Sequence, residues 1–345
     1  MDIILAAIMV IFSFLVSSIP ILFYIWFVWW LDHHDREPLI LIAVAFFWGA
    51  IASIIISIIL ELIFSIPLVF FPEGVQNIAS FVVLAPLIEE VVKSLILFTL
   101  FFHRRFNRTL DGIVYGAVVG FGFAASENFL YYTSTYFSNG LGIWIIVVIL
   151  RTMFTSIGHA VFTSITGAGV ALMKFSRQRW IRLLFPPLAL LTAIVLHSIF
   201  NLGAVLTEYI GIGFFIISML VVGVSLLAVG IIMAFGLIDE SNCIKTQLAD
   251  EIRTGTVTEN EYEVISSYLK RRTTSFKIIS KHGYQTYRQA TRLMENQIDL
   301  AFNKDQLNNT TSDIKRKDLT KNINELRDKI RNLRKQLGQA AELIR

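Results

Sequence analysis

Up to Ile238 the chain is a succession of long apolar blocks joined by short polar segments, and no other feature restricts its fold as strongly. A helical bilayer crossing takes about 20 apolar residues. The blocks run approximately over 3–31, 39–60, 78–102, 110–132, 141–173, 181–206 and 209–238. They predict an all-α, polytopic transmembrane bundle of about seven spans over residues 1–238. The fifth block exceeds one crossing and holds Arg151, so its first part is expected to tilt or lie at the interface. The stretch 62–71, interrupted by Pro67, reads as an interfacial extension of the second span. The first block lacks the basic start and small-residue cleavage site of a signal peptide, so it reads as a span.

From Asp239 to Arg345 the chain turns polar and charged, which predicts a separate water-soluble helical tail. The contrast matters more than the average, although 55% hydrophobic residues, 16% charged residues and a mean hydropathy of +0.64 already place the chain outside ordinary soluble domains. About two-thirds of the Lys and Arg lie in the tail, so the net charge of +4 says little about the bundle and calls for no nucleic-acid partner. The single cysteine, Cys243, excludes an intrachain disulfide and a multi-cysteine metal site.

Basic residues cluster in 103–108, in 174–182 and in the tail. In a seven-span bundle all three fall on one side, which the positive-inside rule makes cytoplasmic, with the N-terminus outside. The joint Asp32-His33-His34-Asp35-Arg36-Glu37-Pro38 then lies inside as well, and its two histidines read as solvated.

Within the spans, ionisable residues are few and each needs a partner, a cavity or a purpose. They are Glu89, Glu90, Lys93, Glu127, Arg151, His159 and His197. Counted from the cytoplasmic ends of their blocks, Glu90, Glu127, His159 and His197 lie roughly 18 to 26 Å deep at 1.5 Å per residue. Four helices thus offer polar groups at a shared level. In Pro86-Leu87-Ile88-Glu89-Glu90-Val91-Val92-Lys93, the i+3 and i+4 spacings let Lys93 reach either acid. Adjacent acids diverge on a helix, so one is expected to face the site while its neighbour braces it. Pro86 is expected to kink the helix beside them.

Glycines at 112, 116 and 120 form one small-residue stripe that lets another helix approach closely. Packing does not explain Glu127 and Asn128 at the end of the same span. His197 and Asn201 share a face, where an imidazole can bind metal or accept a proton and an amide can donate to a developing oxyanion. Against these stand plainer readings: a buried ion pair that orients helices, and histidines that bond one helix to another. Arg151 reads as snorkelling to outer headgroups, and Glu61 as interfacial.

These residues resemble the PrsW-type intramembrane proteases, relatives of the CAAX-processing and bacteriocin-processing membrane proteases. The resemblance runs from Asp35-Arg36-Glu37-Pro38 through the Glu-Glu-x-x-Lys motif of 86–93, Asp111 to Asn128 and His159-Ala160 to His197–Asn201, with Phe200 where the family has Trp. It implies hydrolysis of a peptide bond in a membrane-anchored protein such as an anti-sigma factor. Glu89 and Glu90 are then the essential acids, and Glu127, His159 and His197 complete the site, with Lys93, Asn128 and Asn201 beside them. Activated water is the expected nucleophile, with Glu89 or Glu90 as base. His159 and His197 either orient water and carbonyl directly or hold Zn²⁺ with Glu127 as third ligand. Other protease chemistries lack their signatures: there is no His-Glu-x-x-His, no paired intramembrane aspartates and no Gly-x-Ser-Gly. The competing function is a proton- or ion-coupled transporter using the same acids and histidines as a relay, although no inverted repeat accompanies them.

The tail matches no catalytic pattern. Residues 245–307 read as helical with breaks at Gly255 and Gly283. Leu319, Ile323, Leu326, Ile330, Leu333, Leu337, Ala340 and Ile344 follow the steps of a coiled-coil seam over 319–344. That seam suits self-association, a partner helix, or packing back on the tail's other helices.

Overall fold

The computed structural model describes residues 3–31, 37–103, 106, 108–176, 178–310 and 312–338. The expectations placed on 32–36, on Arg104, Arg105, Asn107 and Arg177, and on Ala340 and Ile344 lie outside the described residues. Among the described residues there is no strand, and the regular elements are all helices. It forms two compact units, one built from the first helix and Glu37–Met233, the other from Ala234 onward.

The membrane unit opens with α1 (Ile3–Leu31), then α2 (Leu39–Phe47) and α3 (Ile54–Ser65), separated by a π-helical turn at Trp48–Ser53. A short α4 (Glu73–Ile78) leads through a second π turn, Ala79–Leu84, into α5 (Ala85–Phe101). Next comes α6 (Thr109–Leu150), a third π turn at Arg151–Thr155, α7 (Ser156–Phe175), α8 (Arg179–Tyr209) and α9 (Phe215–Arg253). Among the described residues five helical runs are long and apolar enough to cross a bilayer: Ile3–Leu31, Leu39–Phe70, Thr109–Lys174, Arg179–Tyr209 and Ile212–Arg253.

The 66-residue run Thr109–Lys174 is not one rod. Gly140 leaves helical geometry at φ +77°, a conformation that costs a residue with a Cβ far more than it costs glycine. Beyond it the chain returns alongside itself. Gly112 meets Gly167, Gly116 meets Thr163 and Gly120 meets His159, while Tyr132 Oη lies 2.8 Å from Thr152 Oγ1. The pairing runs antiparallel, so the run is a helical hairpin. Its closeness rests on the glycine stripe: a Cβ on Gly116 would lie 2.5 Å from the Thr163 carbonyl oxygen.

The first arm of α6 is the centre of the unit. Leu110 to Ala125 is buried without interruption, which suits a segment apolar and small on every side. Around it pack Ile21 and Ile25 of α1, Ile42 and Ala45 of α2, Ile96 and Leu97 of α5, and Ala160, Val170 and Ala171 of α7. The outer surfaces of these helices carry exposed Ile, Leu and Phe, as lipid contact requires.

The second unit comprises the end of α9 with α10 (Glu259–Ile265), α11 (Tyr268–Asn309) and α12 (Asp313–Leu337). Gly255 and Gly283, expected as breaks, take φ values of +73° and +78°. The heptad-spaced residues Ile323, Leu326, Ile330 and Leu337 of α12 are buried against Ile244, Leu248, Ala290, Leu293 and Ile298. Of the three uses open to the seam, packing back on the tail is the one these residues show. Polar contacts fix the same register. Arg327 donates to the buried Glu251 at 2.6 Å, and Arg334, two turns on, donates to the buried Glu261 at 2.6 Å.

Candidate active site

The π turn Ala79–Leu84 sets the start of α5. There Ala85 N–H bonds the Ser80 carbonyl, five residues back. In that register the next donor, to the Phe81 carbonyl, would be residue 86, and proline has no N–H. Asn201 supplies the missing hydrogen bond through Nδ2, at 2.8 Å. The amide expected to face a substrate is thus also the tie between α8 and the opening turn of α5.

One turn further, Glu89, Glu90 and Lys93 are all buried. The two acids do not diverge as expected. Lys93 stands four residues from one and three from the other, and its Nζ donates to Glu89 Oε2 at 3.2 Å and to Glu90 Oε1 at 2.9 Å. Its third contact is His159 Nδ1 at 3.0 Å. An ammonium has three donors, so Lys93 is fully engaged, with the face of Phe123 3.9 Å away as a further partner.

That arrangement assigns the tautomers. A lysine ammonium can only donate, so His159 Nδ1 accepts and its proton sits on Nε2, which donates to Glu127 Oε2 at 2.7 Å. His197 Nδ1 lies 3.1 Å from Glu90 Oε1 and donates to it, leaving Nε2 as the acceptor nitrogen. The imidazoles meet edge to face, with centroids 5.0 Å apart. Glu90 is the more fully bonded acid, because Thr163 Oγ1 donates to its Oε2 at 3.1 Å. Glu89 takes the 3.2 Å bond from Lys93 and is the acid with residual exposure.

The sequence reading set Arg151 aside, and here the structure differs. Its Nη2 lies 2.8 Å from Glu127 Oε2, its Nε donates to Asn128 Oδ1 at 3.0 Å, and its guanidinium stacks 3.6 Å from the Tyr131 ring centre. Asn128 in turn donates to Ser156 Oγ at 2.8 Å. Placed inside a helix hairpin, an arginine finds a carboxylate closer than the headgroups. Thr163, also unassigned from sequence, sits one turn from His159 on the same face, which was the available signal.

Four of the expected residues, Glu89, Glu90, His159 and His197, bring ligand atoms within 4.8 Å of one another, all of them buried. Glu127, expected as third metal ligand, stands instead behind His159, on its Nε2. His159, His197, Glu127, Asn201 and Arg151 line a cavity of about 540 Å³, whose lining also includes Asn77, Glu208 and Tyr209. The cluster therefore has access for something larger than water.

Two imidazole nitrogens and two carboxylates form a donor set that suits a divalent cation such as Zn²⁺. Lys93 already holds a positive charge among them, so a metal fits once the ammonium gives up its contacts to His159 and one acid.

A family model described as "PrsW family intramembrane metalloprotease" matches residues 37–229. The chain is 34% identical over 191 residues to a protein named "Protease PrsW" from Clostridioides difficile (strain 630), covering 54% of this chain and 77% of that one. Proteins of the same name from Geobacillus kaustophilus and Bacillus subtilis are each 29% identical, over 161 and 162 residues, with 66% of each relative covered. No solved structure matches the chain.

Proposed function

The chain belongs to the PrsW family of intramembrane metalloproteases, a multi-pass membrane peptidase by that membership, and from this premise we propose where and how it cuts. The reaction is hydrolysis of a peptide bond in a membrane-anchored protein, such as an anti-sigma factor, by water activated between Glu89 and the two histidines. One observation carries the assignment: Glu89, Glu90, His159 and His197 converge within 4.8 Å beside a cavity lined by both imidazoles.

Glu89 is the general base. It has bonding capacity left over, whereas Glu90 is held by Lys93, His197 and Thr163. Water transfers a proton to Glu89 as its oxygen bonds to the substrate carbonyl carbon. The C–N bond then breaks as Glu89 returns that proton to the departing amine. Glu90 fixes the His197 tautomer, and Glu127 does the same for His159 through Nε2. Asn201 has a second N–H beyond the one given to Phe81 and can donate to the carbonyl oxygen as charge develops there. His159 Nδ1, His197 and a Glu90 or Glu89 oxygen are the groups that would hold Zn²⁺, which would supply Lewis-acid activation of water and carbonyl.

We read seven crossings, taking the hairpin as two and the charged helix α5 as one, with the N-terminus outside and the tail cytoplasmic. The cavity wall at Asn77, Glu208 and Tyr209 lies at the helix ends opposite the basic segments, so the substrate enters from the outer half of the bilayer.

The test uses purified full-length protein in detergent with single-span candidate substrates. Glu89→Gln is expected to lower the cleavage rate by about 10²- to 10⁴-fold, with unchanged thermal unfolding. Cleavage at the wild-type rate in that variant would remove Glu89 from the mechanism. Metal analysis of wild type beside His159→Ala and His197→Ala decides the zinc assignment: bound zinc lost in both supports it, and zinc-free, fully active wild type overturns it.

A further inference from the structure

The first half of α11 carries a feature that the tail's own packing does not use. Between Glu263 and Glu295 the chain holds no acidic residue and seven Lys and Arg. In this stretch Ile278 enters the tail core and Thr274 is buried beside it. On the opposite face Leu269, Phe276 and Ile279 are exposed, at 71%, 72% and 39%. At 100° per residue these three fall within an arc of about 80°. Arg272 lies inside that arc, and Lys277 stands beside it on the other side, both exposed.

We propose that this face of α11 docks on an anionic lipid surface, Leu269, Phe276 and Ile279 entering the headgroup boundary while Arg272 and Lys277 contact lipid phosphates. An apolar strip edged by cations is the pattern of an interfacial helix, and a cation near an anionic leaflet is attracted by lipid charge. Two observations point to lipid as the occupant. The acid-free stretch complements negative charge. The tail also follows the last apolar block, ending at Ile238, within the continuous helix α9, so the membrane is present at high effective concentration. Docking requires no partner protein.

The test keeps the full chain in vesicles. In a Cys243→Ser background, Ser280→Cys places a bimane fluorophore on the exposed face without removing an anchor. Asn322→Cys, exposed on α12, serves as reference. In phosphatidylcholine mixed with phosphatidylglycerol, doxyl-labelled lipids are expected to quench the fluorophore at 280 and not at 322. In phosphatidylcholine alone quenching at 280 should fall, and Lys277→Gln should weaken the docked state about fivefold. Leu269→Ser with Phe276→Ser should abolish it. Equal quenching at 280 and 322 in anionic vesicles would overturn the proposal. So would a fluorophore at 280 that is shielded from water but not quenched by lipid, because a protein surface would then be the occupant.

Discussion

Lys93 is the residue on which the site's charge balance turns. Two buried carboxylates, Glu89 and Glu90, and the partly buried Glu127 meet two cations, Lys93 and Arg151, and Lys93 touches two of the three acids. Lys93→Met is therefore expected to leave two uncompensated carboxylates in the bundle and to destabilise it by about 3–5 kcal/mol. The thermal unfolding midpoint in detergent measures this, and adding Glu90→Gln should recover part of the loss. Arg151 acts through Glu127. Arg151→Met should lower cleavage about 10- to 100-fold by freeing the carboxylate that orients His159. Arg151→Lys should restore part of the rate, because it returns the charge but not the Nε bond to Asn128. The acids, Lys93 and the histidines were legible in sequence, since helical spacing and depth are countable from span ends. Arg151 was not, because a cation near a block's edge reads the same whether it snorkels or turns inward. The Asn201 tie to Phe81 was hidden as well, since it exists only because a π turn places Pro86 where a donor is needed.

Among the elements, the hairpin of α6 and α7 carries most of the site: Glu127 and Asn128 on one arm, His159 and Thr163 on the other. Backbone contact at Gly112, Gly116 and Gly120 sets its spacing, so a side chain there must push the arms apart. Gly116→Val is expected to cost about 1–3 kcal/mol or more and to abolish cleavage by separating His159 from Lys93. Gly230→Ala on α9, where a Cβ meets nothing within 4 Å, should leave both stability and rate unchanged. Parallel unfolding and cleavage assays on the two variants compare them directly, and an active, stable Gly116→Val would show that the arms can repack. The glycine stripe announced a close helix neighbour, and the structure supplies α7. What the stripe could not say was which helix, because every apolar block is an equally good partner by composition. The division at 140 was readable from the gap between blocks, whereas the three π turns follow from tertiary contacts that no local pattern encodes.

On the scale of the whole molecule, the tail stands apart from the bundle in what holds it together. The membrane unit packs by backbone approach and lipid-facing apolar surface, while the tail has an apolar core with buried glutamates held by partly exposed cations. Glu251 lies 13 residues beyond the last apolar block, about 20 Å along the helix, and is fully buried in that core. Burial pushes its carboxyl upward, but hydrogen bonds from Arg327 and Lys304 and their charges outweigh it and hold the group at about 2, below its ordinary 4.5. A carboxyl lowered in the folded state contributes stability that is complete above its unfolded value and is lost as pH falls through the folded one. The tail should therefore be at full strength above about pH 4.5 and weaken progressively toward pH 2. Cys243, packed beside the tail core, reports this in the full-length protein through its reaction with 4,4′-dithiodipyridine, a thiol reagent that works in acid. Wild-type labelling should accelerate across that window. Glu251→Gln should label faster already at neutral pH, reflecting a loss near the lower end of about 3–5 kcal/mol because Arg327 is partly exposed. It should also show little further change on acidification. If the variant and wild type accelerate in parallel as pH falls, the acid sensitivity belongs to other carboxylates, and the clamp that Arg327 and Lys304 place on Glu251 is not what secures α12 to the end of α9.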